Sequence, residues 1–177
     1  MLRKQRGFTL YELVLTLTLS AILAGLAISS FAGSVAGARL SAEVNALFHA
    51  IHLARKESIM RRRVVSICPS IDRQQCSGSL DWSAGWIMFV NEDADDPPHI
   101  DSGEAVLQAH GATDSVRISA NRRGFTLRAT QKRATNGTIV VCDTANRVRP
   151  KALVVSYTGR PRVTLQNRRG EPYDCAD

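Results

Sequence analysis

Between Arg117 and Arg169 the chain carries thirteen Lys and Arg against one acid, Asp143, a local charge of +12 in a protein whose whole formal charge is +7. A single-sign block of that length, dominated by Arg, points to an anionic partner. Its sharpest feature is Gly159-Arg160-Pro161-Arg162. Pro161 stiffens the segment that follows the Thr158-Gly159 turn, and residues two apart on an extended chain share a face. Two guanidinium forks on one face can bracket neighbouring phosphates, whose geometry they match. Lys151, Arg168 and Arg169 join this set by charge and by nearness along the chain.

The other reactive side chains are less organised. From Glu92 to Glu104 there are six acids and no Lys or Arg. Crowded oxygens suit a hard cation, but the EF-hand spacing is missing, and Pro97 and Pro98 fit a solvated turn. His49 and His52 stand three apart on a helical stretch with no Cys or carboxylate motif beside them. The four cysteines, Cys68, Cys76, Cys142 and Cys175, lack the close C-x-x-C pairs of a zinc site. In an oxidising compartment an even count reads as two disulfides. Cys68 and Cys76 enclose only seven residues, so a local bridge is geometrically easy and leaves Cys142 with Cys175; three pairings remain open. No Gly-x-Ser-x-Gly frame and no Gly-rich phosphate loop with a following Lys occurs. The chain therefore reads as a non-enzyme that requires no cofactor and no metal.

Glu12 is the last of these residues. It is the only formally charged side chain from Phe8 to Ala32. Those twenty-five residues would make a helix of roughly 37 Å, long enough to span a bilayer core. An ionisable group inside such a segment is costly and rarely idle. Arg3, Lys4 and Arg6 precede the run and hold that end on the cytoplasmic side. The small residue of a secretory signal follows its apolar core; here Gly7 comes before it. A peptidase cutting after Gly7 would remove a basic leader and leave the apolar helix on the mature protein.

The elements that must position these residues follow in order. Residues 1–7 are a leader, 8–32 a transmembrane helix and 33–63 its amphipathic continuation, with Leu40, Val44, Leu47, Phe48, Ile51 and Ile59 on one stripe. The helix is expected to reach about Arg62. Residues 64–177 form one exported, β-rich domain. Strands are expected at Val64–Pro69, Gly85–Asn91, Ala105–His110, Ser115–Ala120, Gly124–Ala129, Gly137–Cys142, Lys151–Tyr157 and Pro161–Leu165, separated by Gly, Pro and Asn turns. With no βαβ alternation, the class is α+β: one long helix on antiparallel sheet.

The basic leader, Gly7, Phe8 and Thr9-Leu10-Tyr11-Glu12 together resemble a type IV prepilin. Tyr11 departs mildly from the Ile or Val more usual there. The order of helix, short Cys68–Cys76 loop and Asp81-Trp82-Ser83-Ala84-Gly85-Trp86 is similar to the minor pilins that include the fimbrial protein FimT and the type II secretion pseudopilin H. The late Gly159-Arg160-Pro161-Arg162 leans towards FimT. The resemblance implies a pilin fold, cleavage by a prepilin peptidase between Gly7 and Phe8, and N-methylation of Phe8. It implies that Glu12 pairs with the amine of a neighbouring subunit during assembly. It also implies DNA contacts at Arg160 and Arg162, natural transformation as the setting, and other pilins and the inner membrane as further partners. The alternative within the same resemblance is an assembly-priming minor pilin or a secretion pseudopilin with no DNA role.

Overall fold

Helix α1 (Leu10–Arg61) begins at a reciprocal cap. The Glu12 carboxylate accepts hydrogen bonds from the Thr9 backbone N–H at 2.9 Å and from the Thr9 hydroxyl at 2.9 Å, while the Glu12 N–H donates to the Thr9 hydroxyl oxygen at 3.3 Å. This capping box satisfies donors that a helix N-terminus otherwise leaves open. The far end stops at Arg61, because Arg62 turns left-handed with φ of 54°. The computed structural model describes residues 7, 9–111, 113–129 and 133–175, without the side chains of residues 26–30. Phe8 and residues 1–6, on which the expected leader, cleavage and methylation calls fall in part, lie outside that description.

The chain divides into two units between Val35 and Ala36. In the first, Leu13, Val14, Leu15, Leu17, Leu19, Ile22 and Leu23 are all exposed, apolar on every side of the helix. Among the described residues no helix is long and apolar enough to cross a membrane; the expected span from Phe8 to Ala32 takes in positions outside them.

The second unit holds the rest of α1 and eight strands: β1 (Val64–Pro69), β2 (Gly85–Asn91), β3 (Val106–Gly111), β4 (Val116–Ala120), β5 (Phe125–Leu127), β6 (Gly137–Asp143), β7 (Lys151–Val155) and β8 (Pro161–Thr164). They form two four-stranded antiparallel sheets, β3-β2-β1-β5 and β4-β6-β7-β8. Both sheets share one core with the helix, into which α1 sends Leu40, Val44, Leu47, Ile51 and Ala54. Ser58 continues this buried row, and Ile59, expected on it, is exposed. The steps of four and three residues from Leu40 to Ser58 keep one stripe turned inwards.

Strand parity decides what each sheet presents. On the second sheet Val116, Ile118, Ile139, Val141, Leu153 and Val155 point to the shared core. Neighbours at the opposite parity therefore stand on the outer face. In the first sheet Trp86 and Met88 of β2 enter the shared core, whereas Ile87 and Phe89 join Cys68 in a small second core, against which Cys76 and Ile100 pack. The disulfides are Cys68–Cys76 and Cys142–Cys175.

Candidate nucleic-acid interface

Cross-strand register sets the floor of the candidate site. Thr138 of β6 lies opposite Val154 of β7, and Val154 lies opposite Arg162 of β8. This row faces outwards from the second sheet. Beyond β8 the chain turns back, with Gln166 bridging to Pro172. The Cys142–Cys175 bond then ties the tail to β6. The Arg117 guanidinium adds a 2.5 Å hydrogen bond to the Cys175 carbonyl. The tail thus forms one wall over the sheet, while Asn121 and the Asn136–Gly137 segment line another part of the rim. Between them lies a groove of about 590 Å³, into which Arg162, Arg168, Arg169, Tyr157 and Tyr173 all contribute.

The state of each cation decides what it can hold. Arg162, Arg168 and Arg169 are exposed, and their guanidinium groups have no ion-pair or hydrogen-bond partner among the described residues. Arg147, by contrast, is committed: it grips buried Asp143 through contacts of 3.0 and 2.8 Å. Those hydrogen bonds hold the Asp143 carboxyl below the usual carboxylate range and push the arginine higher still. Arg122 donates to the Asn136 carbonyl at 3.0 Å. Arg133 stands 5.3 Å from the Tyr157 ring centroid, a cation–π distance.

Of the five basic residues expected at the site, the structure gathers three in the groove: Arg162, Arg168 and Arg169. Arg160 is exposed in the turn before β8, outside the groove lining. The turn is built by Gly159 N–H donating to the Ser156 carbonyl at 2.9 Å and Ser156 N–H donating to the Arg160 carbonyl at 3.1 Å. Gly159 has φ of 70°, and a Cβ there would meet Leu127 Cδ1 at 2.8 Å, so both backbone and space ask for glycine. Lys151 stands apart. It shares parity with Leu153 and Val155, lies opposite Val141, and donates to the Ser41 hydroxyl of α1 at 2.9 Å. Its ammonium therefore lies on the helix side of the sheet, away from Arg162. Tyr157, Tyr173, Asn121 and Asn136 were not among the expected site residues. The signal for Tyr157 was present as an aromatic residue placed between Lys151 and Arg160, and for Tyr173 as one that closely follows Arg168 and Arg169.

The acidic loop offers a second cluster. Asp93, Asp101 and Glu104 bring carboxylate oxygens within 4.8 Å of one another. Glu104 is occupied as an acceptor for the Glu92 and Asp101 N–H groups. His99 bonds Asp95 and lies 3.0 Å from Asp101. The loop's acids thus serve largely as its own turn scaffold.

The sequence profile of the type II transport protein GspH family matches residues 43–159, which is most of the second unit. The chain belongs to the GspH family. A prokaryotic N-terminal methylation motif matches residues 2–28. No curated protein shows significant similarity to the chain. Among solved structures, the type IV minor pilin FimU of Pseudomonas aeruginosa is similar in two crystal forms. Identities are 22% and 21%, TM-scores 0.51 and 0.52, and each covers 78% of this chain and 98% or 96% of FimU. The minor pseudopilin EpsH of Vibrio cholerae matches at 9% identity and a TM-score of 0.49, over 70% of this chain and 94% of EpsH. The FimU likeness gives this GspH-family chain a type IV pilin-like α+β fold, in which the outer face of the second sheet carries the arginine groove. The methylation motif makes it a membrane-anchored component of the pilin kind.

Proposed function

We propose that this chain is a minor type IV pilin that binds DNA without sequence preference through its arginine groove and supports DNA uptake in natural transformation. The observation that carries the reading is the set Arg162, Arg168 and Arg169, unpartnered among the described residues around one groove. Three guanidiniums without counter-charge in one concavity favour a polyanion, and contacts to phosphate carry no sequence information. Arg160, exposed at the neighbouring turn, extends the track. In this reading residues 1–7 are the leader, 8–32 the single inner-membrane span, 33–63 the amphipathic helix and 64–177 the exported domain, which reaches the pilus or cell surface on assembly. A prepilin peptidase cuts between Gly7 and Phe8, Phe8 is N-methylated, and Glu12 meets a neighbouring pilin's amine. The all-round apolar first unit supports a lipid setting.

The test is fluorescence anisotropy of detergent-solubilised full-length protein on unrelated DNA sequences over a salt series. Substituting Arg160→Gln and Arg162→Gln together should weaken binding to each sequence about equally. It should also flatten log affinity against log salt by roughly 0.9 per lost contact on duplex, or 0.7 on single strands. Absence of salt-sensitive binding in the wild type ends the DNA reading. A second reading, an assembly-priming subunit or type II secretion pseudopilin, is favoured by the transport description of the family. It anticipates pilus or secretion defects with transformation-independent arginines.

A further inference from the structure

We infer that the groove takes unpaired nucleobases, so that the DNA held there is single-stranded. This deepens the DNA reading and rests on it. A phosphate clamp needs cations alone, yet this groove adds two aromatic rings, Tyr157 and Tyr173, to its three arginines. Tyr157 is 54% exposed, leaving much of the side chain open to a ligand, and the nearby Arg133 guanidinium supplies a further flat surface beside it. A cationic track with interleaved aromatics is what single-strand binders use, since every base has a face that can stack. A duplex offers its phosphate rim but keeps its base faces stacked inside. Only an unpaired strand can engage both kinds of side chain at once.

The polar rim fits the same ligand. The Asn121 carbonyl oxygen accepts the Thr138 N–H at 2.8 Å, and its amide NH2 has no partner among the described residues. The Asn136 side-chain amide likewise has none. Both line the groove and can satisfy base edges without selecting one base. Thr138 and Val154 give an uncharged floor, and a volume of about 590 Å³ lies within the range of small-ligand sites.

The experiment compares fluorescein-labelled oligothymidylate of about 12 nucleotides with a mixed-sequence duplex of equal length, on the full chain in detergent at one salt concentration. The single strand should bind roughly ten-fold tighter. Tyr157→Ala and Tyr173→Ala should each loosen it by about ten-fold while leaving duplex binding in place; Tyr157→Phe and Tyr173→Phe, which keep the ring, should not. Equal wild-type binding of both DNAs overturns the inference and leaves the DNA reading intact, as does single-strand binding indifferent to the alanines. Binding of neither DNA removes both readings together. Should an alanine variant misfold, the wild-type strand ratio and the phenylalanine variants still decide.

Discussion

Cutting the Cys142–Cys175 bond should separate stability from DNA affinity in a calculable way. The partners are 33 residues apart, for which the loop-entropy expression gives about 4 kcal/mol at 25 °C. Cys142 is buried and Cys175 is not, so Cys142→Ala with Cys175→Ser avoids stranding a polar group in the sheet. None of residues 166–175 belongs to the shared core, so the domain should remain folded at a lower denaturant midpoint. The tail should not remain docked. Its ordering costs about 1–2 kcal/mol per residue, a cost that the Gln166–Pro172 bridge, which is internal to the tail, and single hydrogen bonds such as Arg117–Cys175 are too weak to offset. Arg168 and Arg169 then leave the groove, and the salt slope on single-stranded DNA should fall by about 1.4, which is 0.7 for each. Between 50 and 200 mM salt that difference alone changes relative affinity about seven-fold. The assays are urea denaturation followed by circular dichroism, and anisotropy over that salt range. A variant that loses stability yet keeps the full wild-type slope would refute the claim that the bond positions the two arginines.

At the helix start, Glu12→Gln keeps a side chain able to close the capping box with Thr9 but removes the charge, whereas Glu12→Ala removes both. If assembly needs the charge, sheared pili should lack both variants; if the cap suffices, the Gln variant should incorporate normally. Intact mass of membrane-extracted protein should show loss of residues 1–7 and gain of one methyl, and a mature N-terminus beyond the apolar run sinks the prepilin reading. His99 is held above its ordinary pKa by its hydrogen bond to Asp95 and by the charge of Asp101. Its contribution to loop order should be fully present below the unfolded-state pKa and fade as pH rises through the raised value. An NMR titration of the His99 ring checks this, and an ordinary midpoint would count against it.

Strand edges were legible where hydrophobic runs meet turn residues. β1 and β2 occupy Val64–Pro69 and Gly85–Asn91 as expected. The expected Gly124–Ala129 strand shrinks to Phe125–Leu127, which pairs with β1 over three residues. Before it, Gly124 packs under Pro98, where a Cβ would come within 2.3 Å of Cγ. The strand expected to Tyr157 ends at Val155 because Ser156 turns its hydrogen bonds to the Arg160 turn. Lys151 illustrates a readable signal outweighed by charge counting. Its parity with Leu153 and Val155 already put it on the core side. The places of Arg168, Arg169 and Tyr173 were not legible, because they depend on a disulfide whose pairing four cysteines leave three-fold open. The capping role of Glu12 was readable from Thr9-x-x-Glu12, but the membrane setting drew the reading to its charge.

The two-faced burial of β2 gives the protein two surfaces that can drift separately. Even positions, Trp86 and Met88, are answerable to the helix; odd positions, Ile87 and Phe89, answer to the Cys68–Cys76 loop and Ile100. A lineage under pressure to alter its exposed loops can exchange the odd residues together with those loops. The even residues, and with them the docking of sheet on helix, stay untouched. Homologous chains would then diverge in alternate columns of one strand, conserving every second residue while the intervening ones covary with the loops that flank it.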